Sequence, residues 1–385
     1  MPKKIVVCCD GTGNQFGDQN SNVVKLYKCL IRSTEQVAYY HPGVGTMGSQ
    51  NALSLLGKAW TLLIGLAFGY GISDNIADAY QFLMHNYEPD DQVFIFGFSR
   101  GAYTARALCG MLHVVGLLTP GNEGLIPYAI RLIKRKHIDF KVAFDFKRTF
   151  SRDCAAYFIG VWDTVASVGW VYNPVNFPYT RVTKNPDFHI VRHAVSVDER
   201  RAFFRDNPVG APNSPQQNVV EAWFAGVHSD VGGSYPEEAS QLSKIALKWM
   251  LGEAEAAGLL VDQKKKAAIL GGSPPWVAPD PTTKNQHESL HGAWWIAELW
   301  PKLAGVMNAA GQWRQRIRVN LARRRTIPDG ALFHESVQQR LDATNIRYRP
   351  SNLPADIQAA KFKIPPGNLV KDASPKASAA APAAK

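Results

Sequence analysis

The order of elements in this sequence predicts an α/β fold, a doubly wound and mostly parallel sheet with a helical, aromatic-rich cap insertion. Three observations carry that prediction. Short apolar runs recur along the chain, stretches of helical period lie between them, and the runs end on glycine or on polar residues of reactive type.

Residues 4–9 (Lys-Ile-Val-Val-Cys-Cys) form the first run and stop at Asp10-Gly11-Thr12-Gly13-Asn14. An unbroken apolar run of this length, rather than an alternating one, is expected of a strand covered on both faces. Val93–Phe96 ends at Gly97, Tyr157–Val161 ends at Trp162-Asp163, and Ala222–Val227 ends at His228. Ile76–Tyr87 and Ala102–Val115 carry apolar residues at 3–4 spacing, the period of an amphipathic helix. Polar reactive residues therefore sit past the carboxyl ends of four buried strands, the edge where open α/β sheets bind ligands. One catalytic domain is expected over residues 1–345, with less periodic cap insertions at about 116–150 and 255–330. Residues 346–385 read as an extension, disordered from about 371, where KDASPKASAAAPAAK is low in complexity.

Hydrophobic residues make up 46% and charged residues 19% of the 385, which excludes a disordered chain. The aromatic load, 10 Trp, 13 Tyr and 18 Phe, exceeds what a minimal core needs and is expected to line a cleft or an apolar surface. A net charge of +11 attracts phosphate, whether in nucleic acid or in anionic lipid. The short basic clusters, Lys134-Arg135-Lys136, Lys264-Lys265-Lys266 and Arg323-Arg324-Arg325, lack the interleaved aromatics of a nucleic-acid platform, so no nucleic acid is expected. Five cysteines, two of them adjacent at Cys8 and Cys9, give neither a disulfide framework nor metal-ligand spacing. A reducing compartment follows. Met1-Pro2-Lys3-Lys4 runs straight into a strand and lacks the apolar core of a signal peptide. The stretch 59–72, AWTLLIGLAFGYGI, is too short to span a bilayer and is expected to be buried or surface-associated near the mouth of the site.

The central motif is Gly97-Phe98-Ser99-Arg100-Gly101, between an apolar strand and a helix. G-x-S-x-G in that setting is a sharp turn that lifts a serine hydroxyl above the sheet at the positive end of a helix. This makes the fold α/β-hydrolase-like and Ser99 the candidate nucleophile. An acid and a base should follow in that order. Asp163, at a strand end, is the candidate acid, although aspartate there also suits a helix cap. His228, in Gly226-Val-His-Ser-Asp-Val-Gly-Gly-Ser-Tyr235, is the candidate base; Asp230 could orient a base or cap a helix. His334 is the alternative base, equally explained as a helix start. The oxyanion hole would combine the Arg100 amide with that of Gly11 or Thr12. His287-Glu288-Ser289-Leu290-His291 fits H-E-x-x-H, and Glu298 could serve as a third ligand. The loop-like stretch before it argues against zinc, and no metal or organic cofactor is expected.

These residues resemble the α/β-hydrolase family that holds the catalytic module of bacterial type VI secretion phospholipase effectors, with many uncharacterised bacterial and fungal proteins. The resemblance rests on VVCCDGTGN at 6–14, YHPGVGT at 40–46 and FGYGISDNIADAYQFLMHNYEPDDQVFIFGFSRGAYTARALCG at 68–110. It continues through GVWDTVASVG at 160–169, HAVSVDERRAFF at 193–204 and WFAGVHSDVGGSYPE at 223–237, and more weakly through 287–295 and 334–337. It implies Ser99, Asp163 and His228 as nucleophile, acid and base, and makes HESLH a cap segment. The larger effectors carry a membrane-binding region after this module, where here a short tail follows. The expected reaction is ester hydrolysis of a glycerophospholipid, phospholipase A-type, at an anionic membrane surface. A cytoplasmic esterase or thioesterase on a soluble acyl compound, and a non-catalytic binding module, are the alternatives. The protein is expected in the cytoplasm of the producing cell, or exported by a signal-independent type VI route. Any immunity or secretion partner would be a separate protein.

Overall fold

Seven strands form one sheet, and every neighbouring pair in it is parallel. They are β1 (Lys4–Cys9), β2 (Gln36–His41), β3 (Gln92–Phe98), β4 (Ala156–Trp162), β5 (Ile190–Ser196), β6 (Asn218–Phe224) and β7 (Leu332–Phe333). The computed structural model describes residues 2–11, 17–43, 71–134, 138–165, 169–170, 173–174, 177, 179–292, 294–299, 302–307 and 313–354. The spatial order is β7-β6-β5-β4-β3-β1-β2. After β1 the chain adds β2 on one side and then β3 on the other, so the winding reverses between β1 and β3. A crevice opens at such a switch point, outside the carboxyl ends of the strands. Asp10-Gly11 and Ser99 sit at those two strand ends.

Alternation along β1 shows how the sheet is buried. Val6 and Cys8 join one core cluster, with Phe94, Phe96 and Phe158. Ile5, Val7 and Cys9 join the other, with Ile95, Ile159 and Val191. The adjacent cysteines thus face opposite layers, and all five cysteines are buried and free. The α-helices among the described residues are α1 (Asn22–Cys29), α2 (Ile72–Asn86), α3 (Arg100–Val115), α4 (Ile126–Lys134), α5 (Phe140–Phe150), α6 (His228–Gly232), α7 (Gln241–Ala256), α8 (Gln263–Leu270), α9 (Trp294–Glu298) and α10 (Glu335–Asp342). Residues of α2 to α5 belong to the layer on the Cys9 side. Those of α1, α7 and α8 belong to the Cys8 side. Local chemistry starts several of them: Ser21 accepts from the Val24 amide, Asp139 from Val142, and Asp262 from Lys264 and Lys265.

In the 116–150 stretch, Ile130, Ile133, Ala143 and Phe146 pack into the same core as α3. Three strands lie outside the four apolar runs of the sequence. The β5 run, Ile190-Val-Arg-His-Ala-Val-Ser196, is wholly buried but interrupted by Arg192 and His193. Both have carboxylate partners inside: Arg192 Nε donates to Glu253 at 2.6 Å, and the His193 ring bonds Glu221 at 2.8 Å. β2 is a half-buried edge strand, and β7 has two residues. Residues 59–70 and the 371–385 tail lie outside the described residues.

The packing of α3 onto β1 makes a direct test. A Cβ at Gly101 would stand 2.2 Å from the Cys9 carbonyl and 2.4 Å from that of Asp10, both backbone atoms that cannot yield. Gly252, inside α7 and exposed, would meet nothing within 4 Å. Thermal unfolding should therefore show Gly101→Ala losing several degrees, with a cost of about 2 kcal/mol or more. Gly252→Ala should gain roughly 0.5–1 kcal/mol. Equal and small effects at both positions would contradict this packing.

Candidate active site

Ser99 sits between β3 and α3 with φ 59° and ψ −121°. A non-glycine residue at positive φ is strained and held there by its surroundings. The Ser99 amide donates to the Trp162 carbonyl at 3.0 Å, which continues the β3–β4 ladder through the turn. The chain thus turns at Ser99 itself, between the ladder and α3. The Arg100 amide then belongs to the first turn of α3, whose N–H groups have no partner within the helix.

Asp163 ends the neighbouring strand, also at positive φ, 41°. Its amide extends the ladder to Ala194 at 2.7 Å. The carboxylate is buried and fully engaged. Oδ1 accepts from the Ser196 amide at 2.8 Å and from Arg325 Nη1 at 2.5 Å. Oδ2 accepts from His228 Nδ1 at 2.5 Å and from Arg325 Nη2 at 2.9 Å. Burial alone would raise its pKa; the Arg325 guanidinium and His228 overcome that and hold it far below the usual carboxylate range.

His228 opens α6 just past β6. Its ring lies between Phe98, stacked at 4.6 Å and 30°, and Phe204, edge-on at 4.8 Å and 67°. Its amide donates to Glu199 Oε2 at 3.2 Å. Burial lowers the imidazole pKa, only partly offset by Asp163, which favours the neutral ring. α6 can reach β3 because Gly232 has no side chain: a Cβ there would fall 1.9 Å from the Phe98 ring. The residue before Ser99 and the helix bearing His228 are thus in direct contact.

The other predicted residues fall as follows. The Gly11 amide donates to the carboxylate of Asp10 at 2.6 Å, so it is already used. Asp10 is fixed in turn by the Ser21 hydroxyl at 2.7 Å and the Tyr40 hydroxyl at 2.8 Å. Thr12 lies outside the described residues. His334 caps α10: Nδ1 accepts from the Ser336 amide at 3.2 Å, and the ring stacks on Phe224 at 4.7 Å. Burial lowers its pKa to about 4. Asp230 does orient an imidazole, that of His287, at 2.6 Å, while accepting from the Val227 amide at 3.1 Å. Residues 286–291 form no helix, Glu288 pairs with Arg200 at 3.0 Å, and Glu298 accepts from the Ala202 amide at 2.6 Å. Those donors are engaged separately, and the described residues hold no cluster of three or more metal-ligating side chains.

The family described as T6SS, phospholipase effector Tle1-like, catalytic domain, matches residues 3–253 of the chain. The chain belongs to this family. It is a family of hydrolases of phospholipase type, and the matched span holds Ser99, Asp163 and His228 on an α/β-hydrolase sheet. The chain is similar, at 25% identity over 91% of its length and 80% of the relative's, to an uncharacterized protein of Saccharomyces cerevisiae. It is also similar, at 20% identity and a TM-score of 0.37, to an uncharacterized protein from Pseudomonas aeruginosa with a crystal structure. That match covers 68% of this chain and spans 46% of the other. No helix among the described residues is long and apolar enough to cross a membrane.

Sequence reading missed two residues that organise the site. Arg325, beyond the region matched by the family, is the fork on Asp163. Glu199 takes Arg201 Nε and Nη2 at 3.0 and 2.9 Å, the Ser289 hydroxyl at 2.9 Å and the His228 amide. Arg201 also lies over the Phe204 ring at 3.6 Å, fixing the face against which His228 rests. Glu199 stands in VSVDERRAFF, within the segments that carry the resemblance, but no strand end or spacing marked it.

Acid should loosen this arrangement. Burial would raise Glu199, but Arg201 outweighs it and brings the pKa from 4.5 down to about 2. A depressed carboxylate contributes stability above its unfolded pKa and loses it as pH falls toward the folded value. Between pH 7 and pH 3 Glu199 accounts for a loss of about 2 kcal/mol. Urea unfolding at the two pH values should show Glu199→Gln losing about that much less stability than wild type. An identical loss in both proteins would contradict the assignment.

Proposed function

We propose that this protein is a serine hydrolase that cleaves the acyl ester of glycerophospholipids, with Ser99 as nucleophile, His228 as general base and Asp163 as the acid that orients it. The observation that carries the reading is the 2.5 Å bond from His228 Nδ1 to a buried, ionised Asp163, beside a serine held on a strained strand-to-helix turn. Bonding through Nδ1 leaves Nε2 as the nitrogen able to take a proton. A neutral imidazole at pH 7 is in the state a base needs. His334, N-capping a helix with no carboxylate bonded to its ring among the described residues, has neither the acid nor the setting.

In this mechanism Ser99 Oγ attacks the ester carbonyl carbon as its proton passes to His228 Nε2. Asp163 and its partners hold the ring and stabilise the imidazolium that forms. The tetrahedral oxyanion accepts from the Arg100 amide and from an amide of the loop after β1. Collapse expels the alcohol, which takes the proton from His228. Water, activated by the same imidazole, then releases the fatty acid from Ser99 and restores the enzyme.

The lipid substrate is supported by the family, by the +11 charge, and by exposed aromatics beside basic residues, Phe140 and Phe144 with Lys141 and Arg148. Fatty-acid release from mixed phosphatidylethanolamine–phosphatidylglycerol liposomes tests it. Wild type should hydrolyse them, Ser99→Ala and His228→Ala should each fall at least about a thousandfold, and His334→Ala should stay within a few-fold. A dead His334→Ala would move the base. Hydrolysis of a soluble ester but not of liposomes would leave a cytoplasmic esterase, and no Ser99-dependent turnover of either would leave a binding module.

A further inference from the structure

We propose that Arg325 is a positioning residue for the acid–base pair, so that the irregular segment leading into β7, after the family module, completes the site. The inference rests on Ser99, Asp163 and His228 acting as proposed above.

Every nitrogen of Arg325 is committed. Nη1 donates to Asp163 Oδ1 at 2.5 Å, to the Ser196 hydroxyl at 2.7 Å and to the Ser196 carbonyl at 3.3 Å. Nη2 donates to Asp163 Oδ2 at 2.9 Å and to the Phe204 carbonyl. Nε donates to that same carbonyl at 3.2 Å. One planar fork therefore grips both oxygens of the acid and also the backbone of Phe204, whose ring packs on His228. Oδ2 is shared between Arg325 and His228, so a carboxylate rotated about its Cβ–Cγ bond would lose both. A lysine offers one point charge and cannot hold two oxygens in plane.

The segment delivering Arg325 is anchored on both sides. Arg324 Nη1 donates to Asp198 at 2.6 Å, and Asn352 Nδ2 to the carbonyls of Val197 and Arg325 at 2.9 and 3.1 Å. Before it, Glu298 accepts from the Ala202 and Ala322 amides at 2.6 and 3.0 Å. These ties all run to the loop after β5, the loop that carries Glu199, Arg201 and Phe204.

A strap and a positioning residue differ in what they do to proton uptake. The charged groups around the pair are Glu199 and Arg201 from the near end of that loop, Arg205 and Asp206 from its far end, and Arg325 itself. Removing a buried cation from beside a coupled Asp–His pair raises the pH at which the pair takes up its proton, whichever member holds it. The active form is the deprotonated imidazole, so the acid limb of kcat/KM must move to higher pH.

The test measures kcat/KM against pH on liposomes and on p-nitrophenyl butyrate, with thermal unfolding alongside, for wild type, Arg325→Lys, Arg325→Met and Asp163→Asn. Arg325→Met should shift the acid limb upward by about one pH unit and lower kcat by about tenfold to a hundredfold. Arg325→Lys, keeping charge but not the fork, should lower kcat similarly with a smaller shift of the limb. It decides the matter if the methionine variant does not fold. A folded Arg325→Lys with wild-type kcat and limb, beside an inactive Asp163→Asn, would overturn the proposal and leave the triad standing. Full activity in Asp163→Asn would instead defeat the triad reading itself.

Discussion

A carboxylate at the tip of a buried parallel strand must be compensated, and much of this architecture follows from how Asp163 meets that demand. A buried charge left unpaired costs about 3–5 kcal/mol. Here two oxygens receive an amide, an imidazole and a bidentate guanidinium. The amide comes from β5, the imidazole from the turn after β6, and the guanidinium from far along the chain. Each partner has to be brought to one point, so the ends of three neighbouring strands and the segment around residue 325 are fixed relative to one another. These interactions keep the carboxylate ionised, while burial, against the pull of Asp163, favours the neutral imidazole; these are the two states that the proposed chemistry needs.

The winding of the sheet sets where that point lies. Reversal between β1 and β3 opens a crevice at the strand ends, and the turn that holds Ser99 at positive φ follows β3 at that edge. Phe98, immediately before Ser99, stacks on His228 and also fills the space that Gly232 leaves. Aromatic packing therefore joins the Ser99 turn to His228, and hydrogen bonding joins His228 to Asp163. The loop after β5 closes the other face through Phe204, Arg201 and Glu199.

What could be read from the sequence was whatever leaves a local signature. β1, β3 and β4 are apolar runs, so periodicity found them; of β6 the run Ala222–Val227 marks only the last three residues, because Glu221 interrupts the strand. The serine turn carries a motif with its strand and helix beside it. β5 was hidden because Arg192 and His193 interrupt a buried run, and only tertiary partners on α7 and β6 make those polar residues acceptable inside. Arg323-Arg324-Arg325 reads in sequence as a basic surface cluster. In the fold, Arg324 and Arg325 turn onto Asp198 and Asp163, and nothing in a run of three arginines tells a solvated patch from a clamp. The Gly11 amide was expected at the oxyanion and bonds instead to Asp10, a competition between adjacent residues that spacing does not reveal. H-E-x-x-H on a helix would set two imidazoles on one face; residues 286–291 form no helix, and His287 is held by Asp230.

The most direct test of the central claim is the mass of the intact protein after treatment with a fluorophosphonate, followed by peptide mapping, at pH 7.5 and at pH 5. A serine activated by a neutral His228 predicts one adduct per chain, located on Ser99 and formed more slowly at the lower pH. An adduct elsewhere, or none at either pH under conditions that label a control serine esterase, would contradict the claim that Ser99 is the nucleophile of this site.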